Sequence, residues 1–178
     1  MGARRPDPTH LDVAAMAAEG ANLEGQWPAS ELARWHAMQT PAADATPEPV
    51  QWRVRGEQRR AAGRLPQTWL HLQAQTVAWP TCQRCLQPFS QALMVDRALR
   101  FVDGEAQAEA LDADSEDDVL ALAPALDLRA LVEDELLLAW PIVPRHEHCA
   151  APAYLADDDE ALSANPFSAL ASLKQPGH

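Results

Sequence analysis

The sequence predicts an α+β fold: an antiparallel β-sheet with a few packed helices, a Pro-rich N-terminal linker and an acidic loop. Three observations lead there. Apolar and polar residues alternate in three stretches between Val50 and Phe101, which is the period of half-buried strands. Those stretches are joined by short connections with no helical pattern between them, which implies antiparallel pairing. Further on, Leu128, Leu131, Val132 and Leu136 follow the i, i+3, i+4, i+8 stripe of a helix with one buried face.

In chain order, residues 1–29 are punctuated by proline and carry one short amphipathic piece, Leu11 to Ala18. Ser30 is the expected N-cap of a helix through Met38 that buries Leu32 and Trp35. Residues 40–49, TPAADATPEP, have the composition of an extended linker. Val50, Trp52 and Val54 then alternate with Gln51, Arg53 and Arg55, so one face is apolar and the two arginines share the open face. Gly56 to Gly63 is the expected polar hairpin connection. In Trp69 to Val77, Leu70, Leu72 and Ala74 fall on one face and His71, Gln73 and Gln75 on the other. Phe89 to Phe101 is a further strand with Leu93, Val95 and Leu99 at even spacings.

Asp103 to Asp118 is acidic and without apolar period, and is expected to be a mobile loop. Val119 to Leu122 is a short strand. Asp127 is the natural N-cap of the striped helix, and Pro141 and Pro144 forbid its continuation, so Leu137 to Val143 is expected to leave the helix as an extended segment. Asn165 and Pro166 open a short terminal helix. The expected organisation is a helical and linker segment over 1–49, a core α+β domain with its CxxC turn over 50–150, and an acidic tail with the NPF helix over 151–178.

A chain of 178 residues, 47% hydrophobic, is large enough to bury a core. Its three cysteines cannot all pair, and Pro6, Asp7 and Pro8 stand where a secretory signal needs apolar residues. No apolar run approaches the roughly 20 residues of a membrane span. A soluble, cytoplasmic protein with reduced thiols or metal ligands is expected, with no membrane partner. The net charge of −12 speaks against nucleic acid, but the charge is unevenly placed. Residues 50–100 hold eight arginines against Glu57 and Asp96, whereas residues 101–160 hold two arginines against seventeen acids. The basic middle offers Arg53, Arg55, Arg59, Arg60, Arg64 and Arg84 as phosphate contacts, with Trp52, Trp69 and His71 nearby. The alternation places Trp52 toward the core.

Cys82-Gln-Arg-Cys85 is the sharpest chemical signal. Two thiolates at this spacing suit one tetrahedral Zn²⁺, and Cys149 with His148 or His146 would complete a Cys₃His set; the set Cys82, Cys85, His148 and Cys149 is the one expected here. Inert reduced thiols and a redox dithiol explain the same pair, so three readings stand and no cofactor is required. His146-Glu147-His148 lacks metalloprotease spacing, and consecutive Glu133, Asp134 and Glu135 point in different directions around a helix. There is no GxSxG, no phosphate-cradling glycine loop and no folded DxD cluster, so enzymatic activity is not expected.

CQRCLQPF, LVEDELLLAWPIVPRHEHC and NPFSALASLK, in that order, resemble the bacterial YceD family, the large ribosomal RNA subunit accumulation proteins. The likeness covers most of the chain, and its three ordered motifs are specific together. Trp140 stands where a second Leu is expected before the proline, and Cys149 stands alone where relatives outside this branch carry a second CxxC. The resemblance implies a non-enzymatic role in synthesis, processing or stability of 23S ribosomal RNA; the expected mechanism is that of an assembly factor that transiently binds that RNA or its precursor, or a nascent large-subunit protein. The alternative is an adaptor whose acidic half, through Glu133, Asp134 and Glu135, binds a basic large-subunit ribosomal protein.

Overall fold

The structure is a computed structural model that describes residues 7–43, 45–60 and 65–150. Among the described residues five strands form one sheet in chain order: β1 (Asn22–Trp27), β2 (Val50–Arg59), β3 (Gln67–Ala78), β4 (Gln91–Val102) and β5 (Asp118–Ala121). The first four pair antiparallel. β5 runs parallel to β4, reached through the helix α3 (Glu105–Ala113).

The predicted alternation organises the core. On β2 Val50, Trp52 and Val54 are buried while Gln51, Arg53 and Arg55 are exposed. Leu70, Leu72 and Ala74 of β3 continue the same apolar face. Upon it pack α1 (Val13–Glu19) and α4 (Leu128–Leu138), with α2 (Ala33–Met38) against α4. Asp127 caps α4 as expected, its carboxylate accepting the N–H groups of Arg129 and Ala130, and Leu128, Val132 and Leu136 are fully buried. Wrapping 21 buried residues into a single cluster, this layer supplies most of the hydrophobic stabilisation.

Five local expectations need correction. The helix expected from Ser30 starts later: Ser30 sits inside a 3₁₀ turn (Ala29–Glu31) and does not cap α2, whose first N–H groups instead meet a distant carboxylate. β1 has no counterpart among the expected strands, because Leu23 and Trp27 flank a weak β-former, Gly25; pairing with β2 makes it a strand. Gly56 lies within β2 rather than in a connection, since the strand runs on to Arg59. It is needed there because α1 crosses so closely that a Cβ would lie 2.4 Å from the Met16 carbonyl. The acidic stretch 103–118 is not a loop throughout. α3 forms in it, burying Ala108 against Val102 and Val119, and Asp112 accepts the Val119 N–H at 3.1 Å. Through α3 the chain returns parallel rather than antiparallel. By alternation Val102 and Val119 point away from the main core, so α3 covers a corner of the opposite sheet face. The terminal NPF helix lies outside the described residues.

Candidate functional site

Two features outside the core carry chemistry: the open sheet face and a thiol–imidazole cluster at one end of the sheet.

The open face is set by strand register. Arg53 is opposite Glu24, Gln73 of β3 is opposite Arg53, and Asp96 of β4 is opposite Gln73. A trough of about 730 Å³ runs across it, lined by Gln51, Arg53, Gln73, Gln75, Met94 and Asp96. Arg53 is 64% exposed and pairs with Glu24 at 2.9 Å. Arg55 lies 3.8 Å and Arg59 3.3 Å from the Glu57 carboxylate, which also binds His71. The His71 hydrogen bond, helped by Arg59, holds the Glu57 carboxyl below its ordinary range. Arg59 also lies 3.8 Å over the Trp69 ring, covering it. Trp52 faces the core as expected, stacked 4.6 Å from Trp27.

The six arginines expected to meet phosphate therefore separate. Arg53, Arg55 and Arg59 share the open face of β2. Arg60 hydrogen-bonds Gln58 just beyond the strand. Arg64 lies outside the described residues. Arg84 is elsewhere, with its Nε donating to the Cys149 sulfur at 3.0 Å. The acids Glu133 and Asp134 meet Arg34 at 2.9 and 2.6 Å, and Glu135 meets Arg97 at 3.1 Å. These three carboxylates, expected to meet a partner, are engaged within the chain.

The cluster is built by two segments distant in sequence. Between β3 and β4 the chain makes a tight turn: Cys82 N–H donates to the Gln87 carbonyl, Leu86 N–H donates to the Cys82 carbonyl, and Leu86 takes a left-handed φ of 61°. After α4, Pro141 and Pro144 keep the chain irregular, and Gln83 N–H donates to the Pro144 carbonyl at 2.9 Å. That contact delivers His146 and Cys149 to the turn. The ligand atoms of Cys82, Cys85, His146 and Cys149 all lie within 4.8 Å of one another, an arrangement that could hold a metal ion. His148, the imidazole expected there, is not among the four, and His146 occupies that place. The spacing His146-x-x-Cys149 repeats the gap of Cys82-x-x-Cys85, but it does not by itself choose between His146 and His148.

Burial alone would push the Cys82 thiol up, but the backbone N–H groups of Cys85, His146 and Arg84 outweigh it and bring the pKa to about 5. Cys85 is raised: the Gln87 N–H favours its thiolate, yet burial and the neighbouring Cys82 and Cys149 sulfurs win. Such a site favours the Cys82 thiolate while crowding three sulfurs together, which a bound cation relieves.

Residues 70–174 match the sequence profile of the family described as Large ribosomal RNA subunit accumulation protein YceD. The chain is 38% identical over 101 residues to the Large ribosomal RNA subunit accumulation protein YceD of Haemophilus influenzae, covering 53% of this chain and 58% of that one. The alignment thus spans little more than half of the relative. No solved structure matches the chain. No helix among the described residues is long and apolar enough to cross a membrane.

Proposed function

The chain belongs to the large ribosomal RNA subunit accumulation protein (YceD) family, and from that premise we propose that it is a non-enzymatic factor in the synthesis, processing or stability of 23S ribosomal RNA. It acts during large-subunit assembly by transient binding of the RNA or its precursor. One observation carries the choice of surface: Arg53, Arg55 and Arg59 lie on one face of β2, and Arg53 lines the trough that crosses that face. Arg53 and Arg55 stand two residues apart along the strand and Arg59 four residues further on, so that one face offers three cations to a phosphodiester backbone, and the glutamine side chains supply hydrogen bonds without sequence preference. The Arg53–Glu24 pair is exposed and the pairs of Arg55 and Arg59 with Glu57 are half-exposed, so phosphate competes for Arg53 at the least cost. The overall negative charge limits binding elsewhere on the chain.

The adaptor reading ranks second, because Glu133, Asp134 and Glu135 already serve Arg34 and Arg97.

The test is filter binding of large-subunit rRNA transcripts to the wild type and to the Arg53→Gln/Arg55→Gln double variant over a salt series. Loss of two phosphate contacts on single-stranded RNA should weaken binding and flatten log K against log salt by about 1.4. Equal affinity and equal slope in both proteins would remove the open face as the RNA surface.

A further inference from the structure

We propose that Cys82, Cys85, His146 and Cys149 form a closed, structural Zn²⁺ site, with the Arg84 guanidinium balancing its charge. This assignment does not depend on the RNA-binding reading.

The first ground is distance. With Zn–S near 2.3 Å and Zn–N near 2.0–2.1 Å, tetrahedral ligands stand about 3.5–3.8 Å apart. The Cys82 and Cys149 sulfurs, 3.6 Å apart, fall within this range, the Cys85 sulfur and His146 Nδ1, 3.3 Å apart, fall just short of it, and all four ligand atoms lie within 4.8 Å of one another. A disulfide requires about 2.05 Å between sulfurs and would join two of these groups while leaving Cys85 and His146 without a reason to converge. A zinc ion uses all four.

The second ground is the donor set. Three thiolates and an imidazole suit zinc and are poor ligands for magnesium or calcium. Four protein ligands leave no open position for water or substrate, which distinguishes a structural from a catalytic centre.

The third ground is the surrounding shell. His146 N–H points at the Cys82 sulfur at 3.5 Å, and the Phe89 ring packs against the His146 ring with centroids 4.6 Å apart, fixing its plane. Three thiolates with Zn²⁺ carry one net negative charge, and the Arg84 Nε–H to Cys149 Sγ contact places one positive charge against it. Arg84 therefore belongs to this centre rather than to the phosphate-facing arginines of β2.

The consequence is mechanical. The site ties the β3–β4 turn to the segment leaving α4, where two prolines prevent regular backbone hydrogen bonding.

The full chain, purified without chelator, should contain one zinc per chain by elemental analysis. Replacement by Co²⁺ should give the visible bands of a tetrahedral ion and the strong ultraviolet charge transfer of three thiolates. His148→Ala should keep full metal content and the same Co²⁺ spectrum, whereas His146→Ala should lose affinity at least tenfold and His146→Cys should restore it with a fourth thiolate band. Arg84→Ala should bind zinc about 10–100-fold more weakly. Wild-type protein that holds no zinc and takes up Co²⁺ only in octahedral form would overturn the site, as would iron–sulfur absorption. These wild-type readings decide even where a ligand variant fails to fold. Metal lost from His148→Ala but kept in His146→Ala would overturn the ligand set, and an unchanged Arg84→Ala affinity would overturn its balancing role.

Discussion

Glu133 caps a helix from which it is separated by 99 positions: its Oε1 accepts the backbone N–H of Arg34 at 2.7 Å, and Oε2 accepts the Arg34 guanidinium at 2.9–3.0 Å. The same Oε1 accepts the Trp35 N–H at 3.1 Å. A helix start needs acceptors for its first N–H groups, and α2 obtains one from α4 rather than from its own Leu32 cap. Glu133→Ala should cost roughly 1–3 kcal/mol in denaturant unfolding, because buried donors lose their acceptor. An unchanged unfolding free energy would mean that water serves α2 equally well.

The same carboxylate sets a pH dependence. Burial raises its pKa, but the Trp35 N–H and the Arg34 contacts prevail, so the folded value lies below the ordinary 4.5. A carboxyl depressed by folding contributes stability that is complete above the unfolded pKa and lost as pH falls through the folded one. Stability should therefore decline below about pH 4.5, and Glu133→Gln should make that decline shallower. Equally steep acid curves for both proteins would assign the effect to other carboxyls.

Glu135 is 9% exposed and has Arg97 of β4 as its partner at 3.1 Å. Removing only the cation strands a buried anion. Arg97→Ala should thus destabilise by roughly 1–3 kcal/mol, and Arg97→Met with Glu135→Leu should recover most of the loss. A double-mutant cycle with no coupling between the two positions would contradict this.

Gly56 is a packing requirement. A Cβ there meets backbone atoms of Met16 and Ala17, which cannot yield as a side-chain tip would. Gly56→Ala should lower stability by about 1–3 kcal/mol through displacement of α1, and hydrogen exchange should rise first in Val13–Glu19. Protection in α1 equal to wild type would show that the helix tolerates the shift.

Leu86 is half-exposed with a left-handed φ of 61°. That conformation costs an L-residue about 1–2 kcal/mol, partly offset by the greater unfolded-state freedom of glycine. Leu86→Gly is expected to raise stability by up to about 1 kcal/mol in thermal unfolding. A lower melting temperature would mean that the leucine side chain contributes packing exceeding the strain.

Local periodicity was a sound guide wherever a segment's environment is periodic. The alternation of Val50–Arg55 and Leu70–Gln75 identified both faces of the sheet, and the Leu128–Leu136 stripe with Asp127 identified α4 and its cap. β1 escaped because two apolar residues around Gly25 carry too little pattern. α3 escaped because a nine-residue helix that buries only Ala108 has almost no apolar stripe. Both are stabilised by neighbours distant in sequence or outside the segment's own pattern.

The site divides in the same way. The amino-acid order by itself determined the family motifs, the two strand arginines on one face and the CxxC turn, because each depends on spacings of a few residues. Tertiary structure alone decided that His146 and not His148 joins the cysteines, that Arg84 turns to Cys149 and away from the β2 arginines, and that Glu133 and Glu135 are internal partners of Arg34 and Arg97. These are contacts between segments about 40 to 100 residues apart. Their geometry follows from how α4 and its proline-broken exit lie against the sheet, which no local spacing encodes.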